Sequence, residues 1–332
     1  MARMEDIANR LNVSKGTVSK ALSGAPDVSE TLRKAVLETA VEMGYSRIQR
    51  KKDAKCLCVF VENMLFVQPE DFGYDLIMGF RKMAEPAGFS VEVVELDRKL
   101  QREIPYDEYM LRQNYVGALF LGLSLSDEWI NQLRTSRTPA VLYDNYIPNN
   151  PHTTFVGIDS NEGMNLAIDH LEKLGHQKIG YLSSALGSYV YQTRYSAFLR
   201  AIRRHDPHWD ESLFGSALHT SECVQKHLPR LLDKGVTGIL CSHDLLANAA
   251  MLHSQELGLR VPEDVSVIGF DDLPLCAYTA PPLTTVRQDR QELGKSAFYA
   301  MSSQLGGTPI STLLLHAKLV VRSSTGPAAA GK

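Results

Sequence analysis

Met4, Ile7, Ala8 and Leu11 recur at i, i+3, i+4 and i+7, an apolar stripe along two helical turns. Asn12-Val13 interrupts it, and Ser14 stands where an N-cap belongs before Thr17-Val18-Ser19-Lys20-Ala21-Leu22. Ser23-Gly24 ends that second pattern, and Ala25-Pro26-Asp27 reads as loop. Ser29 is placed to cap a third helix, whose stripe is Leu32, Val36, Leu37, Ala40 and Met43, with Gly44 as the stop. Two short helices joined by so short a turn predict a helix-turn-helix, whose second helix enters the DNA major groove.

From residue 56 onward the period changes. Apolar runs at 57–61, 90–94, 118–121, 140–143, 155–158, 178–182, 238–241 and 265–270 read as strands. Helical patterns fill the intervals at 73–88, 127–136, 161–174, 189–205, 221–234 and 245–257, many stopped by glycine, as at Gly88, Gly175, Gly235 and Gly258. Apolar strands alternating with amphipathic helices predict an α/β architecture of parallel sheets covered on both faces. Eight such strands suit two doubly wound lobes.

Open parallel sheets bind ligands outside the carboxyl ends of their strands. The residues standing there are Asp144, Asp159, Ser183-Ser184, His243-Asp244 and Asp271-Asp272, with Arg194 in the first turns of a helix. Carboxylates accept paired hydroxyl hydrogens and arginine offers a bidentate donor fork, so the set suits a polyhydroxylated ligand such as a sugar. Asp159, Asp244 and Asp272 are expected to be helix N-caps rather than ligand contacts.

Composition narrows the class. The 332 residues are 44% hydrophobic and 22% charged, ordinary for a globular protein of two or three domains. No apolar run is long enough to cross a membrane, and the N-terminus lacks a secretory apolar core, so a cytoplasmic protein is expected. Five cysteines without a CxxC pair suit buried thiols in a reducing compartment. The net charge of −3 is unevenly spread. Residues 1–52 carry ten Lys/Arg against six acids, and the remainder 25 against 32. A basic head on an acidic body points to a polyanion partner for the head.

The quoted head, with Asp6-Ile7-Ala8, the run Val13-Ser14-Lys15-Gly16-Thr17-Val18-Ser19-Lys20-Ala21-Leu22, then Val28-Ser29 and Gly44-Tyr45, resembles the headpiece of the lactose-repressor family of bacterial transcription regulators. The resemblance implies base reading by Lys15, Gly16 and Lys20, with Ser14, Thr17, Ser19 and Ser29 on the DNA backbone. Gly16 leaves one customary base-reading position without a side chain. The body is similar to that family's effector domain at Phe155-Val156-Gly157-Ile158-Asp159, from Leu257 to Asp272, at Pro282-Leu283-Thr284-Thr285-Val286 and at Leu319-Val320-Val321-Arg322-Ser323-Ser324. This implies a periplasmic-binding-protein-like domain of two lobes, crossed three times by the chain, with the ligand between them. Carried over by position, Asp144, Arg194 and Asp271 hold the ligand and Phe72 is a candidate stacking ring. His243 stands where the family often has Asn, which adds a titratable donor with an ordinary pKa near 6.5 and predicts mildly pH-sensitive binding.

The junction departs from the family pattern. The family's Pro-Asn pair is absent from Ser46-Arg47-Ile48-Gln49-Arg50-Lys51-Lys52-Asp53-Ala54, and the segment is shorter than the family's hinge helix with its leucine wedge implies. Arg47, Arg50, Lys51 and Lys52 remain able to neutralise phosphates, and Ile48 is the one apolar wedge candidate. The expected organisation is a headpiece at 1–46, a basic linker at 47–55, an effector and dimerisation domain at 56–325 and a tail at 326–332. Lobe one takes about 56–154 and 289–315, lobe two about 155–288 and 316–325.

The expectation is a homodimeric, ligand-responsive repressor that binds an inverted-repeat operator and needs no cofactor or metal. The alternative is a sugar-binding receptor without productive DNA binding. An enzyme is not supported: Ser242-His243-Asp244 are consecutive at a strand end and cannot converge into a relay, and His205-Asp206-Pro207-His208 reads as a solvated turn. No Walker A or GxGxxG pattern occurs.

Overall fold

A computed structural model of the chain describes residues 2–45, 55–143 and 145–328. Its contacts divide into two units: one of residues 1–67, 73–156 and 291–313, the other of 68–72, 157–290 and 314–332.

The head opens the first unit with α1 (Met4–Leu11), α2 (Lys15–Leu22) and α3 (Glu30–Glu42). Ile7, Val18, Leu22, Val36, Leu37 and Ala40 close a core with less than 3% of any side chain exposed. Ser14 Oγ accepts from Thr17 N at 3.0 Å and Ser29 Oγ from Leu32 N at 3.3 Å, so each serine satisfies an otherwise orphaned donor of the helix it precedes. Leu111, on a helix of the same unit's sheet layer, packs against this head core.

The sheet of the first unit has β1 (Lys55–Val61), β2 (Phe89–Glu95), β3 (Tyr115–Leu121), β4 (Ala140–Leu142), β5 (Thr153–Ile158) and β11 (Thr312–Leu315), in the order β11-β5-β4-β3-β1-β2. The helices α4 (Phe72–Ala84), α5 (Arg98–Glu103), α6 (Tyr106–Gln113), α7 (Glu128–Leu133) and α12 (Arg290–Leu305) accompany it. Phe60, Phe120, Tyr106 and Trp129 meet at 5.1–6.4 Å between ring centroids, and Trp129 Nε1 donates to Ile104 O at 3.0 Å.

The second unit repeats the plan. Strands β6 (Ile179–Ser184), β7 (Phe214–Ala217), β8 (Gly238–Cys241), β9 (Ser266–Asp271), β10 (Thr284–Arg287) and β12 (Lys318–Val320) run in the order β12-β10-β9-β8-β6-β7. They are accompanied by α8 (Ser160–Lys173), α9 (Tyr189–His205), α10 (Thr220–Asp233) and α11 (Asp244–Glu256). Pairings from β6 to β10 are parallel, and β12 is antiparallel to β10. Tyr181 stacks on Phe198 at 4.5 Å, Phe198 meets Trp209 at 5.2 Å, and Trp209 Nε1 donates to Ile179 O at 2.8 Å.

All eight predicted strands are present, but each sheet has six. Among the described residues, the unpredicted strands are β7, β10, β11 and β12, three or four residues long and each carrying small, polar or charged residues that break the apolar run. Helices α5, α6 and α12 were likewise not anticipated. Both sheets share one winding, 2-1-3-4-5 in their own numbering, which places a topological switch between β1 and β3 and another between β6 and β8. All five cysteines are free thiols, four of them buried.

Candidate functional site

The first candidate surface is the face of α2. Lys15, Gly16 and Lys20 are exposed, Thr17 and Ser19 half-exposed, and Ser14 and Ser29 exposed at the two caps. Lys15 Nζ lies 2.5 Å from Glu5 Oε1, and Lys20 is paired with Asp27. Each lysine therefore carries an intramolecular partner, and its hydrogen bond holds that carboxylate's pKa below its ordinary value. Exposed pairs of this kind are weak and exchange readily for a phosphate or base edge. A Cβ added at Gly16 would meet only Ser14 Oγ, at 3.5 Å, so the vacancy on the reading face is real space. Arg47, Ile48, Arg50, Lys51 and Lys52 lie outside the described residues.

The second candidate surface is the carboxyl edge of the second unit's sheet. Arg194, on the second turn of α9, is 3% exposed. Its Nη1 donates to Ser242 O at 2.5 Å, at the end of β8, and its Nη2 to Asp271 Oδ1 at 3.0 Å, at the end of β9. The guanidinium carbon sits 4.0 Å from the centroid of Phe270. Asp271 Oδ1 also accepts from Gln288 Nε2 at 2.5 Å. Burial raises the Asp271 carboxyl pKa, against the pull of Arg194. The backbone of Asp271 has φ +118°, a conformation that L residues rarely adopt and that costs of order 1–3 kcal/mol. Such outliers gather at ligand clamps.

His243 caps α11: its Nδ1 accepts from Leu246 N at 3.2 Å, and its Nε2 lies 2.9 Å from Ser184 Oγ, at the end of β6. Burial and the neighbouring Arg194 push its pKa down to about 4. The expected titration near 6.5 is thereby corrected: the ring is neutral throughout the physiological range.

Asp159 is an N-cap, accepting from Asn161 N and Glu162 N. Asp244 and Asp272 are not. Because His243 takes the cap, Asp244 starts the helix and turns inward, where Oδ2 accepts from Leu273 N at 2.7 Å and Oδ1 from Thr285 Oγ1 at 2.5 Å. It is a buried brace between α11, β9 and β10, and its pKa rises to about 7 through burial and the nearby Asp271. Asp272 instead pairs with Arg287 at 2.6 Å and Arg322 at 2.7 Å. Phe72, half-buried, packs against the second unit's apolar cluster with the Arg290 guanidinium 5.7 Å from its ring centroid. Asp144 lies outside the described residues. Ser242, Gln288 and the inward role of Asp244 were not anticipated, since they depend on strand register.

His205 binds Asp169 Oδ1 at 3.1 Å and pairs with Glu172, and Arg204 stands 3.6 Å from the same Asp169 oxygen. Asp206 accepts from His208 N at 3.0 Å and so turns the chain. The cluster is a surface one, in which Arg204 and the His205 ring both meet carboxylates of α8.

Residues 3–47 match the profile of bacterial regulatory proteins of the lacI family, and residues 168–325 match that of the periplasmic binding protein-like domain. The chain is 30% identical to the HTH-type transcriptional regulator MalR of Streptomyces coelicolor, over 98% of this chain and 97% of that one. It is 31% identical to the HTH-type transcriptional repressor PurR of Aliivibrio salmonicida, over 90% of each. Among solved structures, the complex of transcriptional regulator CelR with cellobiose superposes with a TM-score of 0.71 at 26% identity, covering 98% of this chain and 100% of that one.

Proposed function

Since the chain belongs to the lacI family of bacterial regulatory proteins, we propose that it is a sequence-specific transcriptional repressor, released from or driven onto its operator by a small carbohydrate. The observation that carries this reading is the Arg194–Asp271 clamp at the carboxyl edge of the second sheet, in a chain that also bears a capped helix-turn-helix. Lys15, Gly16 and Lys20 read bases, while Ser14, Thr17, Ser19 and Ser29 take phosphates. Arg47, Arg50, Lys51 and Lys52 add phosphate contacts from the linker.

The effector is uncharged. Arg194 is already paired with Asp271, the His243 ring is neutral, and Arg287 and Arg322 are both engaged by Asp272. A phosphate would find its arginines engaged, whereas sugar hydroxyls both give and accept hydrogen bonds. Asp144 and Phe72 complete the proposed ligand set.

The working form is a homodimer, since helix-turn-helix proteins read paired half-sites about one helical turn apart. Leu245, Ala249 and Leu252 recur at i, i+4 and i+7 on α11, Leu245 and Leu252 half-exposed, and Tyr278 is 87% exposed. Gln255 Nε2 bonds Ala280 O at 2.8 Å and so joins α11 to the Tyr278 loop. This apolar stripe is the proposed dimer face in the second unit. The cytoplasm is the proposed location, and among the described residues no helix is long and apolar enough to cross a membrane.

Selection of random duplex DNA by the full-length protein, at two salt concentrations and with or without a panel of neutral sugars, tests the reading. An enriched inverted repeat whose retention changes with one sugar is expected. Sequence-blind, steeply salt-dependent binding under every condition would overturn it.

A further inference from the structure

The switch point of the second sheet falls between β6 and β8, and a hydrogen bond between two side chains spans it: His243 Nε2 to Ser184 Oγ at 2.9 Å. The direction of that bond follows from the other side of the ring. Leu246 N is a backbone donor, 3.2 Å from Nδ1, so Nδ1 accepts and carries no hydrogen. A neutral imidazole with a bare Nδ1 holds its hydrogen on Nε2 and donates it to Ser184. Ser184 N meanwhile donates to Ser242 Oγ at 3.1 Å, which holds the end of β6 against the end of β8. Ser184 Oγ thus receives a hydrogen bond and has its own hydrogen left to give. It stands half-buried at the strand-end edge, while Ser242 offers its carbonyl oxygen to Arg194.

We propose that Ser184 is a specificity-determining contact of the effector site, a hydroxyl donor to an acceptor oxygen of an uncharged carbohydrate, and that His243 is the positioning residue that sets this polarity. The inference rests on the reading that this edge of the second unit holds the effector. The downward shift of the His243 pKa agrees with it, because the ring stays neutral and the polarity is constant across the physiological range. The acceptor is an oxygen of ring-ether, glycosidic or hydroxyl type. A ligand bearing only donors at that position is refused, since two donors would face each other.

His243 lends itself to a discriminating pair of substitutions. Asn and Asp are equally good N-caps, so His243→Asn and His243→Asp both preserve the start of α11. Only Asn also has a hydrogen to donate toward Ser184. Asp can only accept, which turns the Ser184 hydrogen away from the ligand and toward residue 243. The probe is the unphosphorylated sugar that most raises the melting temperature of the full-length protein in a panel of neutral mono- and disaccharides, with affinities then measured by titration calorimetry.

Ser184→Ala and His243→Asp are expected to weaken that sugar about tenfold, the worth of one hydrogen bond left unmade. His243→Asn should stay within about threefold of the parent. Equal affinities for the Asn and Asp variants, or an unchanged Ser184→Ala, would overturn the assignment. Arg194→Lys keeps the two readings apart. If it abolishes binding while Ser184→Ala does not alter it, the site stands and Ser184 is merely adjacent. If neither variant alters binding, or no neutral sugar shifts the parent protein, the effector reading falls together with this one.

Discussion

The Arg194 guanidinium carbon lies over Phe270, 4.0 Å from the ring centroid, while its Nη2 donates to Asp271, the next residue of the same strand. Phe270 thus packs on the arginine that its neighbour binds. Removing the arginine leaves a buried carboxylate without its cation. Arg194→Ala is expected to cost about 3–5 kcal/mol of stability. The loss is smaller at pH 5 than at pH 8. In the variant, folded Asp271 takes up a proton that the unfolded chain does not hold, so stability falls as pH rises through the raised folded pKa. Urea denaturation at the two pH values measures both effects.

Gly16 sits near the start of α2 with open space before it. Gly16→Ala should raise the melting temperature slightly, since alanine is better than glycine in a helix by up to about 1 kcal/mol. Gly16→Arg should go further and change the preferred operator, because arginine forks onto guanine. Site selection with the variant and the parent compares the two consensus sequences.

Glu5 and Asp27 compete with DNA for Lys15 and Lys20. Glu5→Gln and Asp27→Asn remove the competitors and should each tighten operator binding modestly at low salt. Lys20→Ala should weaken binding and make its salt dependence shallower. Fluorescence anisotropy over a salt series reads both.

Glu62, just after β1, is buried, accepts from Gln101 Nε2 at 2.9 Å and faces Asp127. Burial, then Asp127, raises its pKa from 4.5 to about 7. The folded protein therefore holds a proton there that the unfolded chain releases near 4.5, and stability declines between about pH 4.5 and 7. Glu62→Gln removes this slope and should stabilise the protein above pH 7, with little effect at pH 4.5. Thermal melts across that range test it.

Leu252→Glu places a charge in the proposed dimer face and should shift the protein toward monomer. Sedimentation velocity reports the change, and operator affinity should fall by at least tenfold as the paired half-sites lose their linkage.

The parts of the fold that were legible in the sequence are those with a strong period. The head helices and β1 to β6 show uninterrupted apolar faces, and tertiary packing moves their ends by only a few residues. Strands such as β7 (Phe214–Ala217) and β10 (Thr284–Arg287) carry small or polar side chains, and they exist because a neighbouring strand offers a ladder. Among the candidate site residues, Asp271 is reached by reading strand ends, and Arg194 by its place in the early turns of the helix after β6. The partners of Asp244 are not, since Leu273 and Thr285 reach it through pairing between strands distant in sequence. His243 does stand just after β8, but its proton affinity depends on burial and on Arg194, which no spacing reveals.

The chain has two tryptophans, Trp129 in the first unit and Trp209 in the second, each buried and each bound through Nε1 to a backbone carbonyl. Each unit consequently carries its own intrinsic fluorophore in an apolar setting. Replacing one tryptophan with phenylalanine leaves a single emitter, and the red shift on exposure to water then follows the melting of one unit alone. Two such variants would tell whether the halves of the body come apart together or in succession.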